Sequence, residues 1–464
     1  MSQAFAARGC AEFRRASGLT RREILRVGGL WGSTLALSDL LCAQATATDA
    51  GTFGRAKSII MLYLHGGHAQ QETYDPKPDG PSPARGEFQA ISTSVAGVQF
   101  SELLPRTAAI AHKLAVIRSM SHPNANHVQA ALPAMTGHAH PIEAEARGDF
   151  PPSLTDFPAI GAVLDRVRPS DQLPTWVQVG PQMRRNNGTV LHGQSSGFLG
   201  LRHNSLVVDQ DLIPANVRVG AVTPNPDLNS LRITSRRKLL EELDDERRRL
   251  DRTADVQSLD DFQQRALNLL TSTALASAFD LAAEPATVRD AYGRTQFGQC
   301  CVLARRLAEA GVPMINVHFC HTPVGSWDTH GQHFKQMKAT LCPTLDQSFS
   351  ALVNDLDDRG LLDQTLVIVN AEFGRTPKVN GSSGRDHWPW VYSLALSGGG
   401  VARGVVYGSS DKIAAYPTSH PHDPKDMAAT IYHLLGVPAD TIIYDSLRRP
   451  NSLVIGQRID GLLA

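Results

Sequence analysis

Thr365-Leu366-Val367-Ile368-Val369-Asn370-Ala371-Glu372-Phe373-Gly374-Arg375 is a short apolar run that closes on a carboxylate and a guanidinium. A run this brief and this rich in β-branched residues predicts a strand buried on both faces. Open α/β sheets place their sites at the C-terminal ends of such strands, which puts Glu372 at the rim with Arg375 beside it. Just upstream, His333 to Arg359 shows apolar residues recurring at three and four, the period of a helix. The same order of helix and strand recurs at Gln296–Ala310 and Val312–Phe319. Residues 57–64 predict another buried strand, feeding His65-Gly66-Gly67. Leu114–Ser119 and Thr175–Val179 predict two more, and Asn126–Met135 predicts a helix ended by Thr136-Gly137. Leu394–Leu396 and Gly404–Tyr407 are expected as edge strands. Such alternation specifies an α/β fold, a mostly parallel sheet covered by helices on both faces. Residues 226–285 differ. They are helix-forming and dense in alternating charge, from Glu241-Glu242 to Arg247-Arg248-Arg249, and predict a helical hairpin insertion with a solvated face.

The chain has 464 residues, 42% of them hydrophobic and 19% charged, enough for a sizeable core. Lys+Arg and Asp+Glu are both 45, so no bulk charge recommends nucleic acid as a partner. At the N-terminus, Thr20-Arg21-Arg22-Glu23-Ile24-Leu25-Arg26 precedes an apolar stretch from Val27 to Leu41 and then Ala43-Gln44-Ala45. Charged, apolar and small-residue regions in that order predict a twin-arginine signal peptide over 1–50, with an amphipathic N-terminal helix as the plainer alternative. The expected partner is the twin-arginine export machinery, the expected location periplasmic or extracellular, and the mature domain spans 51–464. Gly28, Gly29, Gly32, Ser33 and Asp39 leave the apolar stretch too short and too polar for a stable membrane span. Cys300, Cys301, Cys320 and Cys342 lack any C-x-x-C spacing and are expected as buried thiols.

Carboxylates and imidazoles crowd three loops: Ser326-Trp327-Asp328-Thr329-His330-Gly331-Gln332-His333, the Glu372 turn, and Gly384-Arg385-Asp386-His387-Trp388. Oxygen and imidazole ligands converging from separate elements are what a divalent metal needs. Asp328, His330 and His387 are the candidates for one ion. Glu372, Asp386 and either Glu72 or Asp75 would hold a second ion or support the first. His127 opens a helix, where an anion is favoured, and Arg375 carries a planar fork suited to one; both are expected to face an anionic substrate group. The structural alternatives are an N-cap for Asp328, a loop salt bridge for Asp386-His387 and a local ion pair for Glu372 and Arg375. Zinc, calcium and manganese all suit such a donor set.

These same stretches carry a resemblance. Gly66-Gly67, Tyr74-Asp75-Pro76-Lys77-Pro78, Arg85-Gly86-Glu87-Phe88, Ile117-Arg118-Ser119-Met120-Ser121-His122, Asp328-Thr329-His330, Glu372-Phe373-Gly374-Arg375-Thr376-Pro377 and Gly384-Arg385-Asp386-His387-Trp388-Pro389 resemble the bacterial family catalogued as domain of unknown function 1501. That family is grouped with sulfatases and alkaline phosphatases. The resemblance spans nearly the whole mature chain and implies a sulfatase-like, alkaline phosphatase-like α/β fold with up to two metal positions. It further implies an exported metal-dependent hydrolase of sulfate or phosphate esters, with a sulfated or phosphorylated glycan among the substrates to consider. A non-catalytic metal-binding or scaffold descendant of the same fold is the alternative. Two departures bear on that choice. Sulfatases keep a Cys or Ser nucleophile nine residues before the Thr-Gly that ends its helix, and here that position is His127. Alkaline phosphatases have an Asp-His pair where this chain has Glu372-Phe373.

Overall fold

Eight strands hydrogen-bond into one sheet: β1 (Ser58–Tyr63), β2 (Leu114–Met120), β3 (Trp176–Val179), β4 (Leu206–Val208), β5 (Met314–His318), β6 (Thr365–Asn370), β7 (Tyr392–Ser397) and β8 (Val405–Tyr407). Their order across the sheet is β8-β2-β7-β6-β1-β5-β3-β4. Every neighbouring pair is parallel except those made by β7, which runs against both β2 and β6. The computed structural model describes residues 51–140, 148–170, 172–185, 187–214, 272–320 and 327–464. The export signal expected over 1–50 lies outside them, as does most of the hairpin expected over 226–285. Residues 54–464 form one compact unit.

Alternate residues of each strand enter opposite cores, which is why the strands are apolar throughout rather than amphipathic. In β1, Ile60 and Leu62 pack with α3 (Gln296–Glu309) and α4 (Cys342–Asp358). Ile59, Met61 and Tyr63 pack instead with α1 (His127–Thr136), α2 (Ile160–Val167) and α5 (Pro424–Leu434). Each fully buried Ile or Leu contributes roughly 1.5–3 kcal/mol of transfer free energy, so two full cores fix this sandwich firmly. Cys300, Cys301, Cys320 and Cys342 are buried and form no disulfide with one another, as expected.

Two local expectations are corrected. Leu394–Leu396 belongs to an interior strand, β7, between β2 and β6. Its flanking Ser393 and Ser397 suggest an edge, yet both are buried, and Ser397 donates its hydroxyl to the Lys113 carbonyl at 2.9 Å. The helix expected over His333–Arg359 is interrupted. After His333–Gln336 the chain makes one π turn, Met337–Leu341, in which the Cys342 N–H reaches back to the Met337 carbonyl. Pro343 follows at the start of α4 and has no N–H for the regular ladder, a place where such a turn is accommodated.

The parallel strands deliver their loops to one edge. His65 follows β1, His122 and His127 follow β2, and Glu372 follows β6. The antiparallel β7 starts at this edge, preceded by a two-stranded ribbon pairing Gly374–Arg375 with His387–Trp388. That ribbon carries His387 back to the strand ends.

Candidate metal centre

Glu372 stands two residues beyond β6 and is fully buried. Its Oε1 accepts the Gly66 N–H at 2.8 Å and lies 2.6 Å from His127 Nδ1. Burial works to raise its pKa, but the hydrogen bond and charge of His127 prevail and hold it at about 2. The carboxylate is therefore ionised, and its second oxygen, Oε2, is buried with no partner.

His127 is the first residue of α1. Asn126 caps that helix, its side chain accepting the N–H groups of Val128 and Gln129 at 2.8 and 3.3 Å. With Nδ1 on Glu372, the ring turns Nε2 toward Asp328 Oδ2 at 3.3 Å, without a formed hydrogen bond. Gly66 and Gly67 make the closeness possible. Both have positive φ, and a Cβ on Gly66 would stand 2.3 Å from the Asp328 nitrogen, one on Gly67 2.5 Å from the Phe373 carbonyl.

Asp328 is where the loops meet. Its Oδ1 receives Arg375 Nη2 at 2.7 Å and lies 2.9 Å from His330 Nε2 and 3.0 Å from His387 Nε2. The two Nε2 atoms are 2.9 Å apart. Burial opposes ionisation, yet the contacts from His127, His330 and His387 and the charge of Arg375 hold the carboxyl far below the usual carboxylate range.

The outer nitrogens of the two imidazoles decide the tautomers. His387 Nδ1 faces the Ala125 carbonyl at 2.7 Å, and a carbonyl can only accept. Burial lowers the His387 pKa to about 4, so its one proton sits on Nδ1 and Nε2 offers a lone pair. His330 Nδ1 faces Asp386 Oδ1 at 2.7 Å in the same way. An imidazole tied through Nδ1 to a carboxylate or carbonyl, with Nε2 pointing inward, is the usual support of a metal ligand. A lone pair and a carboxylate oxygen 3.0 Å apart repel unless a cation shares them. The choices are His330, whose pKa the same carboxylate raises, or a metal ion. The donor set fits a divalent cation.

Ligand atoms of His127, Asp328 and His387 lie within 4.8 Å of one another, and so do those of His65, His127 and Glu372. His127 is common to both triads. His65 is buried, with its pKa lowered to about 4 by desolvation, so it too is neutral.

The other expected site residues are placed as follows. Asp386 is an exposed support for His330 rather than a member of either triad. Arg375 is fully buried, donating to the Gly66, Gly67 and Arg385 carbonyls and to Asp328, so its fork is occupied by protein. Glu72 and Asp75 are not brought to the cluster. Glu72 is paired with Arg385 at 2.6 Å and His333 at 3.1 Å, and Asp75 with Lys77 at 2.9 Å and Arg118 at 3.5 Å. Each is a buried carboxylate already compensated by cations, which a loop sequence alone does not reveal. Conversely, Arg185 enters the site unannounced. Its Nη1 stands 3.8 Å from Asp328 Oδ2 and its Nε 3.3 Å from Asp149 Oδ2. Beside Asp386 runs a groove of about 630 Å³ walled by Trp388, Tyr416, Ile413 and Pro377.

Over residues 56–463 the chain matches the family described as "Protein of unknown function (DUF1501)". The chain belongs to this family. No curated protein matches it in sequence. Among solved structures it is similar to the PsFucS1 sulfatase from Pseudoalteromonas sp., with 14% identity, 93% of this chain and 75% of that chain covered, and a TM-score of 0.42. It is similar also to a protein in the alkaline phosphatase superfamily from Vibrio parahaemolyticus (13% identity, 89% and 71% covered, TM-score 0.41). A third is the phosphonate monoester hydrolase from Silicibacter pomeroyi (10% identity, 87% and 76% covered, TM-score 0.34). Among the described residues of this DUF1501 protein, no helix is long and apolar enough to cross a membrane.

Proposed function

We propose that this DUF1501 protein is an exported, metal-dependent hydrolase of sulfate or phosphate esters. The observation that carries the proposal is the meeting of Asp328 Oδ1, His330 Nε2 and His387 Nε2, the last with its Nδ1 proton committed to a carbonyl. Asp328, His330 and His387 would hold one divalent ion, zinc, calcium or manganese. His65, His127 and Glu372 would hold a second, for which the partnerless Glu372 Oε2 is the free donor. A divalent cation supplies Lewis acidity against the negative charge that builds on an ester during hydrolysis. The protein's own groups do the rest. Asp386 and the Ala125 carbonyl hold the imidazoles in the ligand tautomer. His127, anchored by Glu372, presents Nε2 on the face toward Asp328. Arg185, partly exposed, offers the anion contact that the buried Arg375 cannot. With His127 where sulfatases keep a hydroxyl or thiol, water is the proposed nucleophile. The aromatic walls Trp388 and Tyr416 would suit a sugar ring.

One observation favours the non-catalytic alternative. Arg375 already places a cation on Asp328 at 2.7 Å, and a protonated His330 would complete the neutralisation without metal. Metal analysis of the purified protein, with turnover on a panel of aryl sulfates and phosphate esters, separates the two. The hydrolase requires bound metal and turnover that both fall with His387→Ala; turnover of none of the esters by metal-loaded protein would leave the scaffold.

A further inference from the structure

A third group of metal-type donors lies outside the site just described. It is formed by His140, Asp156 and His192, all buried, with ligand atoms within 4.8 Å of one another. The three come from separate segments: the loop after α1, the approach to α2, and the turn after β3.

Asp156 Oδ2 lies 2.5 Å from His192 Nδ1. On its far side, His192 Nε2 meets the Phe150 carbonyl at 2.9 Å, and that carbonyl can only accept a proton. Nε2 therefore carries a proton, and at 2.5 Å Nδ1 and the carboxylate oxygen must share a cation, either a proton or a metal ion. Asp156 is itself oriented, accepting the Ser153 hydroxyl at 2.9 Å and the Ser153 N–H at 3.2 Å. His140 Nε2 is buried and has no partner. The two imidazoles meet edge-on at 4.4 Å between centroids, and the Phe150 ring packs against both, at 5.1 and 4.7 Å. A buried imidazole nitrogen without a partner is destabilising. It stands beside a second imidazole and a carboxylate, each already braced from behind.

We propose that His140, Asp156 and His192 form a separate, structural cation site that takes a transition metal of the zinc type. Two nitrogens and one oxygen match zinc, whose ligand bonds of about 2.0–2.2 Å need only small side-chain shifts from these separations. The cation would clip three loops together behind the rim of the first site. Asp149, next to Phe150, accepts Asn126 Nδ2 at 3.1 Å and holds Arg185. Asn126 and Arg185 are the residues that position His127 and face Asp328. The clip therefore steadies the rim without entering the chemistry.

Zinc alone is the probe. The full chain, stripped with a chelator, is titrated with zinc in a His127→Ala/His387→Ala background, which leaves each ion proposed for the first site no more than two ligands. That background should retain one tight zinc per chain, raise its Tm on zinc addition, and give a visible d–d absorption when cobalt(II) is substituted. His140→Gln should weaken this zinc by more than about tenfold and abolish the Tm rise, while leaving the His192–Asp156 pair in place and the far-ultraviolet dichroism unchanged. Retention of the zinc by His140→Gln, or no zinc uptake by the background variant, overturns the site. Should the triple variant not fold, wild type against His140→Gln alone decides. One zinc equivalent lost supports the site, and an unchanged total overturns it. Neither result depends on whether the first site hydrolyses anything.

Discussion

At the scale of single residues, the metal centre depends on a glycine as much as on its ligands. Gly66 has φ 107, and its N–H holds Glu372 while its Cα face touches the Asp328 backbone. Gly66→Ala would meet both a disfavoured φ and a backbone clash at 2.3 Å. Strain of about 1–3 kcal/mol adds to overpacking of about 1–3 kcal/mol, so a loss of roughly 2–6 kcal/mol is expected in urea denaturation. Gly97 is the control. Its φ is 79 with nothing within 4 Å, so Gly97→Ala should cost about 1 kcal/mol, from strain alone. Equal losses at the two positions would show that the close approach of the loops is not what Gly66 serves. Much of the cluster was legible residue by residue. Asp328, His330, Glu372 and His387 stand on loops next to strands, so their chemistry and their address point to the same place. Glu72 and Asp75 have the same chemistry and nearly the same address, but Arg385 and Arg118 reach them from far along the chain. No local pattern announces those partners. Arg185 and His65 were missed for opposite reasons. Arg185 lies on a loop without signature, and His65 is one of two histidines around a Gly-Gly turn where only geometry selects the ligand.

Elements were legible where local and global preferences agree. Asn126 and Gly137 mark the ends of α1, and the structure uses both: Asn126 caps two N–H groups and Gly137 takes φ 80 at the C-terminus. The interior position of β7 was not legible, because an apolar run with serine ends reads alike at an edge or between two strands. The π turn at Met337–Leu341 was hidden because the helical period continues through it. The cap offers the sharper experiment. Asn126→Ala removes the acceptor for Val128 and Gln129, which costs about 0.5–2 kcal/mol of stability. It also frees Asp149 from Asn126 Nδ2, so the frame behind His127 and Arg185 loosens at once. Asn126→Asp keeps the cap but sets like charges against each other at Asp149. Thermal denaturation should therefore rank wild type above Asn126→Asp. Alanine at 126 should lower Tm while leaving the α-helical dichroism nearly intact. A Tm unchanged in both variants would mean that the cap bears no load in the folded state.

The whole molecule carries a titration that no single element shows. His68 and His318 are fully buried, and desolvation lowers each pKa from 6.5 to about 4. In the folded protein they are neutral down to about pH 4, whereas in the unfolded chain they bind protons below about pH 6.5. Between those values the unfolded state holds more protons, so stability rises with pH through the window. The contribution is fully present above pH 6.5 and is lost progressively as pH falls toward 4. At about 1.4 kcal/mol per unit, each histidine is worth up to roughly 3 kcal/mol across the window. Glu372 works in the same direction lower down. With its pKa lowered from 4.5 to about 2, its share is present above pH 4.5 and is lost between there and pH 2. Net stability of a domain is typically only about 5–15 kcal/mol, so the sum is large enough to unfold the protein in mild acid. Denaturation in urea at a series of pH values should give a midpoint flat above pH 7 and falling steeply from pH 6.5 to 4. His318→Gln, which carries no titrating group, should flatten part of that fall while costing some stability at pH 7 through the ring's contact with the Pro181 carbonyl at 3.0 Å. A midpoint that held level down to pH 4.5 would mean that these imidazoles reach water in the native state, and the two buried cores would then be less closed than their packing implies.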